Sequence, residues 1–293
     1  MKKLTVLILL GVLLASCGGP AATPVSPTDT PVPPTQTQVP PTPTPTVTNT
    51  PVPSGPCDNL LMALNVGNRW TYKVTSEGKV TSHRLTVLEE DTRNGINMVI
   101  EMVDETTGAV SRDMVTCKEG AIEDFPLFFL SIMLADYLDG VFNTYYEGGI
   151  YSPAFSEFSA NNMLLDWSAQ YQTEDDIRFF APQGGSDLKV LRDSDFDLYF
   201  HTTGAYESVT VPAGTFPQAL VVTHEFVIPV TSKLPGGISV AGILTVRMTQ
   251  WYDPFMGLVR AQIDNAGVSF MTGQENTIIV DSVVELVEFT EGQ

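Results

Sequence analysis

Carboxylates are the most abundant reactive groups in this chain: 34 Asp and Glu stand against 15 Lys and Arg, for a net charge of −19. The densest group is "RDSDFDLYF", where Asp193, Asp195 and Asp197 alternate. That spacing opens like a calcium loop. Leu198, however, stands where the turn glycine belongs, and Gly204 where the bidentate Glu belongs. On a strand the three would share the solvent face, opposite Phe196 and Leu198, so they are weak metal candidates and no metal is expected. The three histidines, His83, His201 and His224, lie far apart in strand-like patterns with no metal-ligand spacing. Gly-x-Ser-x-Gly and phosphate-cradling loops are both missing from the sequence. Asp253 could act as an acid, but nothing obvious partners it, and any glycosidase-like carboxylate pair would be an arbitrary choice. The sequence therefore predicts no enzyme and no cofactor.

The elements that must carry these residues read as antiparallel β. In "NRWTYKVTS", Trp70, Tyr72 and Val74 share one face, with Arg69, Thr71 and Lys73 on the other. "HRLTVLEED" and "INMVIEMVD" flank Asn94-Gly95, a strong hairpin signal. Further strands follow in "AVSRDMVTC", "DLYFHTTGAYESVTV", "FPQALVVTHEFVIPV", "ISVAGILTVRMTQWYD", "GLVRAQID" and "NTIIVDSVVELVEF". Pro212-Ala213-Gly214-Thr215, Asp253-Pro254, Pro235-Gly236-Gly237 and Asn265-Ala266-Gly267 are predicted turns. Phe125 to Gly140, "FPLFFLSIMLADYLDG", does not alternate and is predicted to be a short apolar helix. The aromatic stretch after it, "VFNTYYEGGIYSPAFSEF", is predicted to be a long loop.

The N-terminal region is different in kind. Lys2 and Lys3 precede an uncharged run from Leu4 to Leu14, then Ala15 and Ser16, which is a secretory pattern. Eleven apolar residues are too few to cross a bilayer core, which needs about 20 helical ones. Leu14-Ala15-Ser16-Cys17 resembles the lipobox of bacterial lipoproteins. The resemblance implies that residues 1–16 are a removed signal peptide. It also implies that Cys17 carries the lipid, palmitate included, on its sulfur and its new amino terminus. The partner so implied is the cell membrane or outer membrane, with the rest of the chain on the extracytoplasmic side. The alternative is an ordinary signal peptide with a chance cysteine. From residue 17 to 56 Pro and Thr dominate and Asp29 is the only charged side chain. Such a segment has no core-forming residues and should stay extended, reaching roughly 100 Å when stretched. It reads as a stalk.

Residues 57–293 are globular in character, and nearly all the negative charge lies there. An acidic surface repels phosphate backbones and anionic lipid heads, so nucleic acid is not an expected partner. Cys57 and Cys117 form an even pair on the export side, where a disulfide is expected; two buried free thiols are the alternative. A bridge closing a loop of this size contributes about 4 kcal/mol in the chain-entropy model.

"VGNRWTYKV" (Val66 to Val74), "VPAGTFPQALVVT" (Val211 to Thr223) and "WYDPFMGLVR" (Trp251 to Arg260) together resemble a broad group of uncharacterised bacterial envelope proteins. Phe255 stands where that group usually has glycine after the proline. The resemblance implies a mainly β, α+β fold: an antiparallel sheet curled as a half-barrel around a short apolar helix, as in periplasmic lipoprotein carriers. In that fold Phe128, Phe129, Ile132 and Met133 would face the interior, which is either packed solid or a pocket for an apolar small molecule or lipid. The expected function is thus a membrane-anchored envelope lipoprotein that binds or carries an apolar ligand. The alternative is a structural or adhesive protein-interaction module. Replacing the predicted acylation site, Cys17→Ser, is expected to remove the acyl mass and move the protein from the detergent to the aqueous phase in a Triton X-114 partition.

Overall fold

The computed structural model describes Cys57 and residues 59–92, 96–139, 142–180, 188–233 and 237–292. The signal segment, Cys17, the stalk and the Asn94-Gly95 and Pro235-Gly236 turns lie outside the described residues. The chain opens with a meander: β1 (Arg69–Ser76), β2 (Lys79–Asp91), β3 (Ile96–Asp104), β4 (Val110–Lys118) and β5 (Ala121–Asp124). α1 (Phe128–Met133), β6 (Leu138–Asp139), β7 (Thr144–Gly149), α2 (Phe155–Ala160), β8 (Leu164–Thr173) and β9 (Ile177–Phe179) follow. The remainder is β10 (Leu188–Val190), β11 (Asp195–Thr203), β12 (Tyr206–Val211), β13 (Gly214–Lys233), β14 (Ser239–Asp253), β15 (Gly257–Phe270), β16 (Glu275–Ile278) and β17 (Ser282–Thr290).

These strands form one antiparallel sheet that curls into a half-barrel. Its main path runs β5-β4-β3-β2-β1-β17-β15-β14-β13-β11-β8-β7. The two ends of that path meet at an isolated bridge between Ile122 and Ser152. Alternation sets the inside: Trp70, Tyr72 and Val74 on β1, Leu85 and Val87 on β2, and Met98, Ile100 and Met102 on β3 are all buried. β13 is long because it serves four partners, β12, β11 and β10 in succession and β14 along most of its length. β11 pairs with it as far as Val227, and β10 pairs from Thr231 onward. Pro229, which has no N–H to give, falls in the gap between them.

The first and third sequence motifs touch. The Trp70 indole donates to the Met256 carbonyl at 3.0 Å, and the Tyr72 hydroxyl donates to the Leu258 carbonyl at 3.1 Å. Asp253 pairs with Gly257 across a three-residue turn in which Phe255 takes φ +60°. The second motif forms the β12–β13 hairpin, with Val211 opposite Gly214 and only Pro212-Ala213 between them. Cys57 and Cys117 are joined in a disulfide, with Cα atoms 5.4 Å apart. Beside it the buried Asn59 side chain donates to the carbonyls of Gly120 (2.9 Å) and Pro153 (2.8 Å) and accepts from the Ser152 hydroxyl at 2.7 Å. The segment that begins at Cys57 therefore pins the seam where β5 meets the chain beyond β7.

Three expectations are corrected. The helix is shorter than Phe125 to Gly140: α1 has six residues, and the chain after Leu134 turns into β6. Pro126 precedes it and Asp136 and Asp139 follow it, so neither end can extend favourably. Residues 141–158 are not one long loop, because they contain β7 and the start of α2. Tyr146 packs edge-on against Tyr171 of β8 at 5.9 Å, which gives this stretch a partner. Asn265-Ala266-Gly267 is not a turn. It lies inside β15, where Arg247 pairs with Asn265 but Met248 pairs with Ile263, leaving Asp264 as an extra residue in a bulge.

Gly257 has φ +142°, and a Cβ there would lie 2.8 Å from the Trp70 indole nitrogen. Gly257→Ala is therefore expected to lower the unfolding free energy by about 2–4 kcal/mol, measured by urea denaturation followed through tryptophan emission.

Candidate ligand cleft

α1 presents two different faces. Phe129, Leu130 and Met133 are buried, and Phe129 meets Tyr72 edge-on at 5.3 Å. Phe128, Ser131 and Ile132, followed by Ala135, lie along the other side and line an open cleft of about 960 Å³. The four apolar residues expected to line a pocket thus divide. Phe128 and Ile132 line the cleft, whereas Phe129 and Met133 are packed into the core. Phe142, Tyr145 and Tyr146 extend the apolar wall.

The opposite wall is the inner face of the sheet, and it is polar. Cross-strand partners share a face. His83 pairs with Tyr72 and with Asp104, Met102 pairs with Ser111, and Ile100 pairs with Asp113. Tyr72, Ile100 and Met102 are buried inward-facing residues, so His83, Asp104, Ser111 and Asp113 point inward too. All four line the cleft. On β4 the same face becomes apolar one step later, at Val115 and Cys117, where it enters the core. Asp124, from β5, and Glu174 add two more carboxylates.

The charges in this cleft differ in how they are held. Asp104 accepts the backbone N–H of Thr106 at 2.8 Å and the Thr107 hydroxyl at 2.7 Å, so it is engaged in its own turn. Arg112 also lines the cleft, but its guanidinium is held by Glu101 at 2.8 Å. Burial, and then the neighbouring Asp113 charge, push the Asp124 carboxyl up to about 6. Asp113 is open to solvent through the cleft mouth, yet the surrounding walls desolvate it enough to push its carboxyl upward. Burial lowers His83, with the charges of Asp104 and Glu105 opposing.

The other candidates lie elsewhere. Asp193 sits in a left-handed turn, while Asp195 and Asp197 accept hydrogen bonds from Gln172 and Gln170, each at 2.9 Å. Among the described residues, no group of three or more His, Cys, Asp and Glu side chains is placed to hold a metal. His201 pairs with Asp166 at 2.5 Å on the outer surface, beside a depression of about 580 Å³ that Tyr199 and Arg247 also line. His224 is buried against Phe200, and burial lowers its pKa to about 3. Asp253 is raised by burial at the β14–β15 turn. Sequence reasoning passed over His83, Asp113 and Asp124 as site residues. The available signal was on β4, where Ser111, Asp113, Val115 and Cys117 occupy one face and change from polar to apolar halfway along.

No family model matches the chain. No curated protein matches it either. Two solved structures resemble it. One is a Bacteroides fragilis protein described as exported, with a YmcC-like fold: 15% identity, TM-score 0.45, covering 80% of this chain and 100% of that one. The other is a Parabacteroides distasonis protein described as a lipoprotein: 16% identity, TM-score 0.42, covering 79% of this chain and 99% of that one. Neither likeness bears on what this chain binds or does.

The raised Asp124 carboxyl has a pH signature. In the unfolded chain it titrates near the ordinary 4. Between about 4 and 6 the folded state holds the proton more tightly, so stability falls as pH rises through that window. The penalty is absent below that window and complete above it. Asp124→Asn is expected to stabilise the fold at pH 7.5 by on the order of 1–2 kcal/mol, allowing for the group's partial exposure. At pH 3.5 it should change little. Urea denaturation at the two pH values checks this.

Proposed function

We propose that this chain is a membrane-anchored envelope lipoprotein whose β domain binds a small amphiphilic molecule in the cleft beside α1. The lipobox-like Leu14-Ala15-Ser16-Cys17 and the Pro/Thr-rich residues 17–56 support the anchor and the stalk. One observation carries the ligand. Four polar side chains, His83, Asp104, Ser111 and Asp113, point inward on adjacent strands and face the apolar side of α1 across an open space. Inward-facing polar residues destabilise a core unless they are satisfied, so their concentration around one opening fits a binding wall better than a packing surface. A volume of about 960 Å³ is near the upper end for small-molecule sites. One wall is apolar and the other ionisable, which suits a ligand with an apolar body and a polar end. An interaction module without a ligand is the second reading, and the close packing of Phe129 and Met133 favours it.

Native mass spectrometry of the full chain purified from its host membrane tests the choice. The expected result is an adduct with the mass of a small amphiphile, lost in the double variant Phe128→Ser, Ile132→Ser while the acyl mass on Cys17 remains. A folded protein without adduct, from host membrane and after incubation with host lipid extract, favours the module.

A further inference from the structure

We infer that the cleft selects a positively charged ligand: an organic ammonium whose cationic centre lies between Asp113 and Asp124 and whose apolar body covers Phe128 and Ile132. This rests on the cleft being a ligand site and adds the sign of the ligand's charge. Asp113, Asp124 and Glu174 line the cleft, and Arg112, the one Lys or Arg among its described lining residues, is already held by Glu101. Among the described residues the Asp124 carboxyl is acted on by burial and the Asp113 charge, with no hydrogen bond to its side chain. Asp113 lies on the inner face through its pairing with Ile100, so both carboxylates border the same space as the helix. Asp113 accepts the Met114 backbone N–H at 2.8 Å, but among the described residues neither it nor Asp124 has a cationic partner, and two such carboxylates attract a cation and repel a third anion. Around them Tyr145 is 55% exposed and Phe128 half-buried, giving aromatic faces against which an alkylammonium is favourable. A fatty carboxylate or a phosphate head would add like charge at the worst point. An amine or quaternary ammonium supplies the counter-charge that the walls lack.

The test uses the full chain held in phosphatidylcholine nanodiscs and titrated calorimetrically with three matched probes: benzyltrimethylammonium, benzyl alcohol and benzenesulfonate. The cation is expected to bind at least about tenfold tighter than the other two, and to weaken with added salt. Asp113→Asn and Asp124→Asn should each reduce cation affinity by about fivefold or more relative to that of benzyl alcohol. Equal binding of alcohol and cation, or cation affinity unaffected by both substitutions, overturns the charge preference and leaves the cleft reading intact. If no probe binds the wild type, or binding survives Phe128→Ser, Ile132→Ser, both readings fall. Should either Asn variant fold poorly, the salt dependence of the wild-type affinities decides: a cation affinity no more salt-sensitive than that of the alcohol counts against the proposal.

Discussion

The architecture depends on the pairing of β1 with β17. Eight residues of β1, Arg69 to Ser76, pair with Ser282 to Thr290 across almost the whole described length of the chain. β17 pairs in turn with β15 through Arg260 to Gln262. Remove that strand and, among the described residues, the N-terminal meander has no sheet connection to the β13–β15 half except the isolated bridge at the seam. Trp70 and Tyr72 reinforce the join by reaching past β17 to the carbonyls of Met256 and Leu258. Contacts so distant in sequence close at high entropic cost, which ties the integrity of the inner face to β17.

That join also sets what the inner face can be. Over β1, β17 and the neighbouring strands it is covered by Tyr72, Leu85, Val284 and Leu286 and by the buried side of α1. Over β3 and β4 the inner face stands off from the helix across the cleft that Phe128, Ser131 and Ile132 also line, and the face opens. Polar side chains are tolerable there because water, or a ligand, reaches them. The cleft is therefore the uncovered remainder of a sheet longer than the short helix that packs on it.

The legible parts of the sequence were those in which local chemistry admits one answer. Trp70, Tyr72 and Val74 alternate cleanly, and one face is buried. Pro212-Ala213 before a glycine leaves little but a tight turn. Asn265-Ala266-Gly267 has turn chemistry as well, but a bulge asks for the same small and permissive residues, and only the partner strand distinguishes the two. α1 hid its orientation because residues 127–134 are almost uniformly apolar, so no stripe separates Phe128 and Ile132 from Phe129 and Met133. Asp113 was hidden for a different reason. In "AVSRDMVTC" it looks like one more solvated acid, and it acquires meaning only when register sets it opposite Ile100. Asn59 and Ser152 are further apart still, and nothing in either neighbourhood announces that they bond.

The disulfide has a mechanical consequence. A pull along the backbone from residue 56 arrives at Cys57, and there it divides between the main chain and the covalent link to Cys117 at the end of β4. Part of the load thus enters the sheet sixty residues away from where the chain does. It falls on a strand flanked on both sides, rather than peeling away the first turns one bond at a time. A domain built this way resists a pull applied ahead of Cys57 while leaving the rim of the opening, on that same strand, within reach of the strain.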